Sequence, residues 1–147
     1  VKLITRHFGE IEIDESEIID FPDGILGFED VKKYVLINNP DPEVPFQWLQ
    51  SVDEPSLAFV ITNPFLFKSD YEFDIPQNVL KKLEIEETED VAVYSIAVVP
   101  DDIKDMTINL RGPVIINVKK KKAKQIVLDK EEYSLKYKIF ENAKRAG

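Results

Sequence analysis

The chain has 147 residues, 44% of them apolar, which is enough for one domain with a real core. Its formal charge of -9 and pI near 4.7 exclude a general nucleic-acid binder, because phosphate is repelled and no counterions are released. The lack of any cysteine excludes disulfides, thiolate metal sites and thiol catalysis.

Gly9-Glu10-Ile11-Glu12-Ile13-Asp14 alternates apolar and acidic residues, the period of a strand with one wet face. Phe21-Pro22-Asp23-Gly24-Ile25-Leu26-Gly27-Phe28 breaks that period. Pro22 restricts one backbone angle, while Gly24 and Gly27 accept positive φ. The apolar Ile25, Leu26 and Phe28 predict a loop tucked against the core. Residues 34–37 read as a buried strand, stopped by Asn38-Asn39-Pro40-Asp41-Pro42. Residues 46–51 and 57–62 read as two more strands, the second closed by Asn63-Pro64. One short helix is predicted from Pro76, with Ile75, Val79, Leu80 and Leu83 on one face. An acidic run at 84–90 follows. Residues 91–99 are apolar on both faces, as in a central strand covered on both sides. Then comes a hairpin with arms at 114–118 and 125–128 and a tip carrying Lys119 to Lys122. Residues 133–140 alternate well enough for a last strand, and 141–147 read as a polar, frayed tail.

Many short strands and about one short helix predict a mainly β chain. The fold class is a small antiparallel β-barrel-like or sandwich domain over residues 1–140, since helices do not alternate with strands. Phe21, Phe28, Trp48, Phe59, Tyr94, Ile96 and Ile116 are the expected core. Pro22, Gly24, Gly27, Gly112 and Pro113 are assigned to the fold. With no basic-then-apolar leader and no long apolar run, neither a signal peptide nor a membrane span is expected.

Catalytic signatures are missing. His7 is the sole histidine, which rules out a multi-histidine metal site. No nucleophile elbow, phosphate loop or dinucleotide fingerprint is present. The acids at 84–90 lack the central glycine of a calcium loop, so no metal and no cofactor are expected. Asp101 with Asp102, and Asp14 with Glu15 and Glu17, keep open a carboxylate enzyme working in a barrel mouth. The lysine tip keeps open RNA binding, although the stacking aromatics of single-strand binders are absent there. An acidic surface favours basic partners, or serves solubility alone. Asn63-Pro64-Phe65-Leu66-Phe67 either belongs to the core, as aromatic clusters after a strand end usually do, or exposes Phe65 or Phe67 as an apolar anchor flanked by Asp70, Glu72 and Asp74, with Tyr71 among them. That pattern suits a partner presenting a basic amphipathic helix or strand.

Four blocks then resemble the flagellar assembly factor FliW family. They are Phe21-Pro22-x-Gly24-Ile25-x-Gly27-Phe28 and Phe46-x-x-Leu49-Gln50-Ser51, then Leu57-Ala58-Phe59 through Asn63-Pro64-Phe65. The last runs from Asn109-Leu110 through Pro113-Val114-Ile115-Ile116-Asn117 to Gln125-Ile126-Val127-Leu128. In order and spacing they span nearly the whole chain. Gly112 departs from the alanine the family usually shows there. The resemblance implies a non-enzymatic, monomeric protein of the bacterial cytoplasm. It implies binding to the RNA-binding translational regulator CsrA, relieving repression of flagellin synthesis, and binding to flagellin, which removes the protein from CsrA. Neither nucleic acid nor membrane is a direct partner on that reading. The expected partner-binding residues are Asn63, Phe65, Asp70, Tyr71 and Glu72, with Asp74 at the rim.

Overall fold

Short β-branched and aromatic runs, cut by Pro, Gly and Asx residues, fold into brief strands joined by tight turns. The computed structural model describes residues 1–140. In chain order the strands are β1 (Lys2–Thr5), β2 (Gly9–Glu12), β3 (Ile19–Asp20), β4 (Lys33–Ile37), β5 (Phe46–Ser51) and β6 (Ala58–Thr62). After the helix α1 (Gln77–Lys82) come β7 (Val91–Val98), β8 (Thr107–Ile108), β9 (Val114–Asn117), β10 (Lys122–Gln125) and β11 (Tyr137–Lys138). The main sheet runs β11-β8-β7-β6-β5-β4-β3-β10-β9, and β9 pairs again with β7. Seven strands therefore close into a barrel, which leaves them no free edge. The expected mainly β, barrel-like fold with one short helix is what the chain adopts.

Alternation along each strand sorts the apolar residues into separate cores. Ile19, Tyr34, Leu49, Ile61, Val114, Ile116 and Ala123 fill the barrel with Phe21 and Ile25. The intervening Ile115 and Ala97 face outward, where Val79 of α1, Leu83 just past its end, Tyr71, Leu110 and Tyr133 cover the wall. On another flank the β1–β2 hairpin lays Leu3, with Ile13, on Val35 of β4. The two-sided reading holds for residues 91–97, where Val91 and Val93 pack on the outer core and Tyr94 and Ile96 on the inner one, but not at its end, since Val98 and Val99 are exposed.

Several expectations need correction. Phe28, expected in the core, is 42% exposed, because its loop ends on the barrel rim with only Phe59 beneath it. Leu26 is also exposed, while Ile25 of the same loop is buried. Trp48, Phe59, Tyr94 and Ile96 are half-buried; Phe21 and Ile116 are fully inside. The second hairpin arm is β10, three residues earlier than expected, with Lys122 opposite Asn117. Residues 126–128 still follow the ladder irregularly, Ile126 N–H donating to Pro113 O and Leu128 N–H to Arg111 O. The last strand shrinks to β11, because Tyr133 turns inward to serve the outer core. Pro76 sits one residue before the helix rather than in its first position. The tail expected at 141–147 lies outside the described residues.

Candidate functional site

Thr62 ends β6, and Asn63 turns the chain. Its side-chain oxygen accepts the Phe65 N–H at 3.0 Å, the N-cap bond that starts a 3-10 turn over Pro64–Leu66. Pro64 at the first position is buried, which pushes the next two side chains outward. Phe65 is 41% exposed and Leu66 62% exposed, so the corner forms an apolar knuckle. Phe67 turns back and stacks on Phe46.

A hollow lies on each side of the knuckle. One of about 330 Å³ separates Leu66 from the 38–45 loop, with Asn38, Val44 and Phe46 among its walls. One of about 390 Å³ lies between Phe65 and the first residues of β7, Val91 to Tyr94. Gln47 and Asn63 border both.

Tyr71 was expected as a surface contact, and the structure places it in the core instead. It is 3% exposed, and its hydroxyl donates to Leu110 O at 2.6 Å. Rings of Phe65, Phe73 and Tyr133 surround it at centroid distances of 4.8 to 5.5 Å. Burial, with Tyr133 nearby, pushes its pKa well above the phenol range. Tyr71 therefore supports Phe65 from below. The Glu72 backbone is equally committed: its N–H donates to the Tyr133 hydroxyl at 3.0 Å, and its carbonyl accepts that hydroxyl at 2.9 Å. Its side chain remains exposed. Asp70 is exposed but paired with Lys68 at 3.0 Å, which holds its pKa below the usual carboxylate value. Asp74 is exposed and enters no ion pair among the described residues. Asn63, Phe65, Asp70, Glu72 and Asp74 thus share the segment that crosses the lower barrel rim, with Tyr71 beneath them.

The lysine cluster is satisfied within the molecule only in part. Lys122 pairs with Glu84, and Lys124 with Asp23 at 2.7 Å. Lys119 and Lys120 stay exposed. Asp14, Asp23, Asp70 and Glu84 have pKa values displaced downward, the wrong direction for a general acid. Among the described residues no three His, Asp or Glu side chains stand close enough to hold a metal ion. No helix among them is long and apolar enough to cross a membrane.

Sequence reasoning missed the part played by the asparagines. Asn117 is 1% exposed, and its amide nitrogen donates to Leu83 O and Glu84 O at 2.8 and 3.1 Å. Its oxygen accepts the Lys119 and Lys120 N–H groups. One side chain thereby closes the C-terminus of α1 and shapes the lysine tip. The signal was present: an asparagine at the end of an apolar strand, just before a turn.

The FliW protein family model matches residues 2–139. A flagellar assembly factor FliW of Alkaliphilus metalliredigens is 58% identical over 97% of this chain and 88% of its own length. One from Caldicellulosiruptor saccharolyticus is 51% identical, covering 94% of this chain and 90% of its own. A crystal structure of a flagellar assembly factor FliW superposes with a TM-score of 0.87 at 41% identity, covering 95% of this chain and 97% of that one.

Proposed function

The chain belongs to the FliW family of flagellar assembly factors, and we propose that it works as a non-enzymatic, cytoplasmic protein-binding regulator. It binds the RNA-binding regulator CsrA and relieves repression of flagellin synthesis. Free flagellin then competes for it and restores repression. The supporting observation is the knuckle: Phe65 and Leu66 are exposed, Phe65 is braced by the buried Tyr71, a hollow lies on each side, and the chain that follows carries the exposed Asp70, Glu72 and Asp74. A rigid apolar anchor beside acids suits a basic partner, and rigidity lowers the ordering cost of binding. An RNA-binding partner carries such basic surface by necessity.

Calorimetric titration with purified CsrA, repeated after saturation with flagellin, tests this reading. Binding that flagellin abolishes supports partner switching. Binding that flagellin leaves intact means two independent surfaces, and no binding to either sinks the proposal. Phe65→Ser combined with Glu72→Lys is expected to weaken CsrA binding at least about tenfold, the scale of a hot-spot loss. Glu86→Lys with Glu87→Lys, away from the knuckle, is the control expected to bind like wild type.

A further inference from the structure

At the opposite end of β6, the loop between β3 and β4 holds apolar side chains out in solvent. Leu26 is 57% exposed and Phe28 42% exposed. The loop has little freedom to fold them away. Gly24 and Gly27 have positive φ, and a Cβ on Gly24 would come within 2.5 Å of the Glu29 Cα. The Leu26 N–H donates to Gln125 Oε1 at 3.0 Å, tying the loop to β10. The Asp23 carboxylate ties it again, to Lys124 on β10 at 2.7 Å and to Lys82 on α1 at 2.5 Å. Phe28 stands edge-on to Phe59 at the start of β6, with ring centroids 5.2 Å apart. Val60 lies opposite Ala97, so Phe59 and Val98 are next to each other across the β6–β7 pair, and Val98 is 58% exposed. Leu26, Phe28, Phe59 and Val98 make an apolar platform on the barrel rim.

Carboxylates surround it. Glu29 and Asp30 lie on the same loop, Asp53 and Glu54 on the β5–β6 turn, and Asp101 and Asp102 just past β7. All six are exposed, and none enters an ion pair among the described residues. They still outnumber the bases at this end, Lys32, Lys33, Lys104, Lys138 and Arg6, whose backbone N–H donates to Pro55 O at 2.9 Å, and the Lys32 ammonium is already spent on Pro22 O at 2.8 Å.

We propose that this barrel mouth is a docking surface for a basic amphipathic segment of a partner protein. The segment lays apolar side chains on Leu26, Phe28 and Val98 and sets Lys or Arg against the acidic rim. Charge complementarity selects this occupant, because the same rim repels phosphate, whether of nucleic acid or of an anionic lipid surface. The braced loop supplies the pre-organised anchor that such docking needs. The inference takes from the proposed function only that the partner is a protein.

The test uses a synthetic amphipathic helix of leucine and lysine, with a leucine–glutamate helix as control, titrated into the full chain and read by amide chemical shifts. The expected result is saturable shifts at residues 25–30, 58–59 and 98–99 with the lysine peptide, at least tenfold weaker with the glutamate peptide. Leu26→Ser with Phe28→Ser is expected to abolish them. Glu29→Lys with Asp30→Lys, which keeps the apolar side chains, is expected to weaken binding and flatten its salt dependence. Lysine-peptide shifts elsewhere only, or equal binding of both peptides, overturn the proposal. So does sedimentation showing a wild-type dimer that the serine variant dissolves, which would assign the face to a second copy. Since neither CsrA nor flagellin is the probe, failure here is distinguishable from failure of the proposed function.

Discussion

Single polar side chains decide how the outer layer is held on the barrel. Asn117 satisfies four backbone groups at once: two carbonyls at the end of α1 and two amides at the lysine tip. Asn117→Ala strands the buried Leu83 carbonyl and should cost about 2–3 kcal/mol in urea unfolding. The end of α1 is already demanding. Glu84 takes φ +54 where glycine is usual, and the Glu84 and Ile85 N–H groups reach back to Lys81 O and Leu80 O in a Schellman pattern. Its carboxylate pairs with Lys122, which links the helix end to β10. Asp23 is the other such link. Hydrogen bonds from Lys124 and Lys82 lower its pKa from 3.8 to about 2. A depressed carboxylate contributes stability that is fully present above its unfolded value and is lost as pH falls through the folded one. The β3–β4 loop should therefore loosen between about pH 4 and pH 2. Asp23→Asn should remove that part of the acid transition, as measured by amide exchange at residues 22–29 along a pH series. An unchanged acid profile in the variant would show that the two lysines add nothing to loop closure.

Among the elements, the β3–β4 loop separates the two uses of glycine. Gly24 has φ +68 and no room, since a Cβ would meet Glu29 backbone atoms at 2.5 to 2.7 Å. Gly27 has φ +89 and nothing within 4 Å. Gly24→Ala should cost about 2–5 kcal/mol, a left-handed penalty plus a backbone clash. Gly27→Ala should cost about 1–2 kcal/mol, the left-handed penalty alone. Thermal unfolding of the two variants checks the difference, and equal losses would mean that the clash relaxes freely. That glycines governed this loop was legible in the sequence; which of its apolar residues would be buried was not. Ile25, Leu26 and Phe28 look alike as letters, and the barrel wall has room beneath Ile25 alone. A continuous apolar run such as β9 could be read as a strand covered on both faces, because a period of two then divides Val114 and Ile116 from Ile115. The stretch ending in β11 misled for the same reason. Its alternation is real, but Tyr133 spends its side chain bracing Tyr71 and Glu72 instead of extending a ladder. The break at Asn63-Pro64 and the apolar run behind it were legible from the sequence. The burial of Tyr71 was not, because it depends on Leu110 and Tyr133, distant in the chain.

At the scale of the whole molecule, the placement of charge matters more than its sum. A formal charge of -9 is compatible with simple solubility, and on that basis alone predicts nothing about partners. The internal pairs change the balance. Lys82, Lys122 and Lys124 are drawn into contacts with Asp23 and Glu84, so part of the positive charge is used up inside the surface. Glu29, Asp30, Asp53, Glu54, Asp101 and Asp102 at the barrel mouth enter no such pair among the described residues, and the seven strands of the closed wall have no free edge, unlike β11 and the β1–β2 hairpin outside it. Recognition by such a surface should depend on side chains and long-range attraction, not on strand addition. Association with CsrA should therefore slow by about tenfold or more between low salt and a few hundred millimolar, while dissociation changes little. Stopped-flow association rates across a salt series measure this directly. Charge reversal at Glu72 and Asp74, beside the knuckle proposed to hold CsrA, should flatten the slope more than reversal at Glu86 and Glu87, although both change the net charge equally. Equal flattening by the two pairs would mean that the chain steers its partners by total charge, and that neither end of the barrel is privileged in the encounter.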